Sequence, residues 1–151
     1  MKEKWIKLID QIEETNNKKE IAIQERNKEL TNAFNQMKKD CLEMIQVVSH
    51  LKDNESVFVN IQNMSMNFYA NKVIFHYSCW NENQKFKLTK DSEYPKSRTF
   101  NFDYDRCHED FDEFILNWKN IVDEVEEKFQ EKINDYLIFD QLIEVDVSDL
   151  D

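Results

Sequence analysis

Glycine is absent from the 151 residues, and proline occurs once, at Pro95. An average composition would supply about ten glycines in this length. Their absence excludes the G-x-G-x-x-G dinucleotide turn, the Walker phosphate loop, the G-x-S-x-G nucleophile elbow and the glycine-built anion nest. Long apolar runs are also missing, and no stretch approaches the roughly 18 residues that read as a membrane span. The opening MKEKWIKLIDQIEE has lysines but neither an apolar core nor a small-residue cleavage site, so it does not read as a signal peptide. Cysteine is sparse and odd in number. Cys41, Cys79 and Cys107 are widely spaced, which predicts free thiols in a reducing, cytoplasmic compartment.

Basic residues are scarce at one end only. The formal net charge is −11. The first 104 residues hold 16 basic and 15 acidic side chains, whereas residues 105–151 hold 4 basic and 16 acidic. The whole excess therefore sits in the last third. Such a charge opposes direct binding to nucleic acid or an anionic membrane, which depends on Lys and Arg meeting phosphate. It favours a basic partner.

Three patterns follow one another along the chain. Leu30, Phe34, Met37, Cys41, Met44, Val48 and Leu51 recur at spacings of four and three, the stripe of an amphipathic or coiled-coil helix. Trp5, Leu8, Ile9 and Ile12 make a shorter stripe before it. Asn17 with Glu20 offers a capping box, so a long N-terminal helix over 1–53 is predicted with a break, or a soft middle, near 15–17. From Ser56 the period drops to two. Val57, Val59 and Ile61, then Met64, Met66 and Phe68, alternate with polar residues, and Lys72–Trp80 is apolar on both faces. Lys85, Phe86, Lys87 and Leu88 alternate, as do Phe100–Tyr104, so 56–104 reads as an antiparallel meander of four to five strands. Asn71 and Asn81–Asn83 supply turns in place of glycine. The third pattern is helical again, over 105–143. Asp105 is the expected cap, and Phe111, Ile115, Trp118, Val122, Val125, Phe129, Tyr136, Phe139 and Ile143 form the seam, with Lys132 its one polar member. The tail 144–151 alternates acid with aliphatic, as a disordered segment or edge strand would. The prediction is one α+β domain, with the helices packed on the sheet or paired antiparallel.

The acids of the third segment form the candidate site. Glu124, Glu127, Glu131 and Asp135 make one helical row, and Glu109, Asp110, Asp112 and Glu113 form a cluster one turn after the helix start. Like charges at i, i+4 cost roughly 0.2–0.5 kcal/mol per pair, and a helix needing only solubility would interleave lysines. These eight residues are therefore expected to be a partner-binding face for a basic surface such as a nucleic-acid-binding groove. Carboxylates four residues apart rise about 6 Å per step, a spacing akin to backbone phosphates. Small acidic proteins of this size and charge resemble phage anti-defence inhibitors, the anti-CRISPR type among them, and toxin-immunity proteins. The resemblance implies a non-enzymatic inhibitor, bacterial or phage-encoded, that occludes a nuclease. Heavy use of Lys, Asn and Ile also resembles AT-rich bacterial or phage genomes.

Other constellations point to other functions. The helix–sheet–helix order resembles the prefoldin subunit plan, which implies a coiled-coil structural or chaperone-like subunit as the alternative. Phe75, Tyr77, Trp80 and Tyr104 raise a small-ligand pocket as a third reading. Lys85, Lys87, Lys90, Lys96 and Arg98 among Phe86, Tyr94 and Phe100 raise a stacking platform for single strands. The adjacent Cys107 and His108, and His76 three residues from Cys79, do not make a metal-binding spacing. No catalytic residue, metal or cofactor is expected.

Overall fold

The computed structural model describes residues 1–52, 55–79, 82–94 and 102–149, with side chains described for 1–52, 55–77, 85–94 and 109–138. Helix α1 (Glu3–Ser49) is followed by strands β1 (Val57–Ile61), β2 (Met64–Phe68), β3 (Val73–Cys79) and β4 (Glu82–Leu88), and then by helices α2 (Phe102–Leu116) and α3 (Trp118–Asp149). The class is mixed α+β: a long N-terminal helix, a four-stranded antiparallel sheet and a C-terminal pair of helices.

Strand order in the sheet is β1-β2-β3-β4, each neighbour antiparallel, as short hairpin connections dictate. Alternation decides which side is buried. Val57, Val59, Ile61, Met64, Met66, Phe68, Val73, Phe75 and Leu88 lie inside, while Phe58, Asn60, Lys85 and Lys87 face water. The buried face is covered by the C-terminal half of α1 and by α2 and α3. Leu30, Phe34, Met37, Cys41, Met44, Ile45 and Val48 come from the first; Phe111, Ile115, Trp118, Ile121, Val125 and Phe129 come from the others. At the centre Phe75 is surrounded by Phe86, Phe111 and Phe114, with ring centroids 6.4, 5.8 and 5.9 Å away. Such tilted and edge-on pairs each add about 0.5–1.5 kcal/mol beyond area burial.

The helices lie on the sheet, and they do not form an antiparallel stalk. Arg26 meets Glu113, Asp40 meets Trp118, and the Lys52 amide meets Tyr136. Contacts thus advance in the same direction along both helices, so α1 runs parallel to α2–α3. Four antiparallel strands end level with where they began, Leu88 in line with Val57, and the segment after β4 leads back along α1, with Ser92 at Lys38 and Tyr94 at Phe34.

Several boundaries differ from those the sequence suggests. Helix α1 continues unbroken through 15–17, the second of the two expected forms, because no glycine or proline interrupts it and a capping box favours a helix start without forcing one inside a running helix. Phe102–Tyr104, expected as a fifth strand, already belong to α2, so Asp105 lies inside the helix rather than capping it. The C-terminal helix is two helices. Asn117 forms the turn between them, its side-chain oxygen accepting from the Asn120 side-chain amide at 2.9 Å and its carbonyl from the Asn120 backbone N–H at 2.9 Å. After that turn the seam changes register. Ile121 is buried and Val122 only half-buried, and past exposed Lys132 it is Ile133 that turns inward. Residues 144–149, expected to be disordered or an edge strand, continue α3 to Asp149. With no stop signal after Leu142, extending an existing helix costs less than starting a strand. Pro95, Trp80, Asn81, Asn54 and Phe100, and the side chains of Cys79, Tyr104, Cys107 and His108, lie outside the described residues. No described helix is long and apolar enough to cross a membrane.

Among the described residues the one positive φ falls on a glutamine. β1 and β2 are joined by Gln62 and Asn63, with Ile61 paired to Met64, and Gln62 has φ 50°. A two-residue hairpin needs positive φ at its first central residue, normally a glycine.

Candidate functional site

The eight acids separate into three environments. Glu124, Glu127, Glu131 and Asp135 are exposed on α3, on the side away from Trp118, Val125 and Phe129. Glu124 is held by Lys128 at 3.3 Å, and the Lys128 ammonium also donates to the Asn60 carbonyl of β1 at 2.9 Å. Glu127, Glu131 and Asp135 have no ion-pair partner among the described residues. Exposed Ile138 follows Asp135 by three residues and extends the row as an apolar end.

Glu109, Asp110 and Glu113 are exposed on α2. Glu113 accepts from the Arg26 guanidinium of α1 at 3.0 Å. Asp110, Glu113, Phe114 and Asn117 form one wall of an open cleft of about 460 Å³, and Ile61, Gln62, Asn63, Met64 and Tyr77 form the other. The cluster thus borders the β1–β2 turn, where the glutamine with positive φ sits.

Asp112 is not part of the face. It is 4% exposed and accepts the Tyr94 hydroxyl at 3.1 Å. Its spacing from Asp110 and Glu113 made it look like a surface acid, but it shares the inward side of α2 with Phe111 and Ile115. A buried carboxylate survives only where donors meet it, so its role here is structural: it ties the segment after β4 to α2.

Spacing alone did not reveal a second acidic group. Asp40 and Glu43 of α1 and Asp123 and Glu126 of α3 approach each other across the groove between the helices. Desolvation there, then the Asp40, Asp123 and Glu43 carboxylates, raise the Glu126 pKa above its ordinary value. Asp40 is steadied by donors, taking the Trp118 indole N–H at 2.8 Å and the Gln36 amide at 3.1 Å. Each pair is visible in the sequence as i, i+3 acids. Their union depends on α1 lying parallel to α3. Beneath them the Cys41 thiol is fully buried, and burial, helped by Asp40, pushes its pKa well up, so it is a packing group rather than a nucleophile.

The other readings fare differently. Phe86 points into the core against Phe75 and Phe111, whereas Lys85 and Lys87 point to water from the opposite face of β4. Rings and charges therefore do not share a surface there, and the stacking platform is not built from these residues. Phe75 is wholly buried among other rings, while Tyr77 stacks on Phe111. Among the described residues no three His, Cys, Asp or Glu side chains are placed to hold a metal. Compared with family models, curated proteins and solved structures, the chain matches none.

Proposed function

We propose that the protein is a non-enzymatic, cytoplasmic binding protein that docks on a basic surface of another protein and occludes it, in the manner of a nucleic-acid mimic. A nuclease or other nucleic-acid-binding effector is the partner this chemistry fits, as in phage anti-defence and toxin-immunity inhibitors. The observation that carries the reading is the exposed row Glu127, Glu131 and Asp135, whose carboxylates form no ion pair among the described residues. A solvated face in a merely acidic protein would dilute such a row with lysine. The acidic groove of Asp40, Glu43, Asp123 and Glu126 supports it, because like charges held together cost stability and are retained where something else is gained. Glu109 and Asp110 extend the same sign to the edge of the cleft. Binding rests on charge at long range and on the β1–β2 end for shape.

The test is capture from a bacterial lysate with the immobilised protein and with a variant carrying Glu127→Lys, Glu131→Lys and Asp135→Lys. These residues are exposed, so the variant should fold with an unchanged unfolding midpoint. We expect it to lose a partner that the unaltered protein retains at low salt. Equal capture by both would refute the docking face.

A further inference from the structure

The covered face of the sheet ends in the row Ile61, Met64 and Tyr77, and α2 does not close over that end. Asp110, Glu113, Phe114 and Asn117 stand at i, i+3, i+4 and i+7, so they share one side of α2. Phe111, Ile115 and Trp118 occupy the adjoining side and enter the core. Between the row and the helix side lies the open cleft of about 460 Å³, with Gln62 and Asn63 of the β1–β2 turn in its wall.

The lining has a one-sided chemistry. Asp110 and Glu113 bring two carboxylates, and Gln62, Asn63 and Asn117 bring three carboxamide oxygens. No lysine, arginine or histidine lines the cleft among the described residues. Its apolar part includes two half-buried rings, those of Tyr77 and Phe114. Asp110 forms no ion pair among the described residues, while Glu113 already takes one guanidinium, that of Arg26, on Oε1 at 3.0 Å. Gln62 keeps its carboxamide at φ 50°, where glycine would cost less.

Carboxylates beside aromatic rings suit a guanidinium better than an ammonium. A guanidinium offers five N–H donors in one plane and lays weakly hydrated faces on rings, whereas an ammonium is a compact, strongly hydrated point charge. The volume is within the range of ligand sites and leaves room for the backbone on either side of such a side chain.

We propose that the cleft receives an arginine side chain of the partner's basic surface, its guanidinium on Asp110 and Glu113 and its flat faces against Tyr77 and Phe114. The inference rests on the docking reading above and adds the residue type by which the partner is held. Charge on α3 acts at range, and the cleft distinguishes arginine from lysine.

NMR titration of the full chain with the peptide acetyl-Ala-Arg-Ala-amide, at about 150 mM salt, tests it. The backbone amides of Gln62, Asn63 and Asn117 should shift saturably, with a dissociation constant of about 1–10 mM. The lysine counterpart should bind at least about threefold more weakly. The citrulline counterpart, which keeps the shape and loses the charge, should bind at least about tenfold more weakly. Asp110→Asn, a change at an exposed position outside the core, should weaken the arginine peptide at least about threefold. The variant reversed at Glu127, Glu131 and Asp135 should bind the peptide as the unaltered protein does, since those residues do not line the cleft. Failure of the α3 docking face would thus leave peptide binding intact, and failure of the cleft would leave lysate capture intact. No saturable shift at these amides up to about 20 mM peptide, equal affinity for the lysine or citrulline peptide, or full affinity in Asp110→Asn would each overturn the proposal.

Discussion

Replacing Gln62 by glycine should make this protein more stable, although glycine occurs nowhere in its sequence. The residue has φ 50°, at the first central position of the turn that pairs Ile61 with Met64. A left-handed backbone costs an L-residue with a Cβ roughly 1–2 kcal/mol. Glycine removes that cost but gives the unfolded chain extra freedom, worth about 0.4–1 kcal/mol. The difference is a gain of about 0.5–1 kcal/mol. In a chain of this length that raises Tm by about 1–4 °C. The neighbour supplies the control, since Asn63 has no positive φ. There only the unfolded-state term operates, and Asn63→Gly should lose about 0.4–1 kcal/mol. Urea unfolding followed by tryptophan fluorescence measures both, with unchanged m-values as the sign that only stability has moved. If Gln62→Gly destabilises as much as Asn63→Gly, the strain assigned to this turn does not exist.

Other substitutions separate structural acids from surface ones. Tyr94→Phe removes a donor from buried Asp112 and should cost about 1.5–3 kcal/mol in urea unfolding, whereas Glu131→Gln should cost nothing measurable. Cys41 is buried with its pKa raised, so iodoacetamide should label it in native protein only at the rate of unfolding, and at once in urea. Glu126 binds its proton more tightly folded than unfolded, which subtracts stability once pH exceeds the raised pKa. Glu126→Gln should therefore stabilise the protein at pH 7 by about a few tenths of a kcal/mol, since the site reaches solvent. That gain should shrink in salt and vanish as pH falls through the raised value to the ordinary 4.5.

Where the sequence carried a period, it carried the element. The stripe from Leu30 to Val48 and the alternation from Val57 to Phe68 each name one face, and that face is buried. Boundaries were harder to read. The capping box at Asn17–Glu20 does not interrupt α1, while the break that does occur, at Asn117, falls inside a seam whose spacing runs on unbroken. Phe102 and Tyr104 alternate as a strand does, but a short alternating run at a helix start carries no information about which state wins. The site divided in the same way. The α3 row was legible, since exposure follows from lying opposite an apolar seam. Asp112 looks like a surface acid by charge alone, whereas Phe111 and Ile115 on its side of α2 mark that side as buried. The groove of Asp40, Glu43, Asp123 and Glu126 depends on helix direction, which no local pattern encodes.

Occlusion of a basic surface makes one demand that shape recognition does not. Charge-steered association slows steeply as salt rises, because screening shortens the reach of the field to about 8 Å at physiological ionic strength. The decisive measurement is the association rate constant of the captured partner between 50 and 500 mM salt. Occlusion by the acidic face predicts a fall of tenfold or more over that range, with dissociation little changed, and a flat profile for the variant reversed at Glu127, Glu131 and Asp135. An association rate independent of salt in the unaltered protein would contradict it.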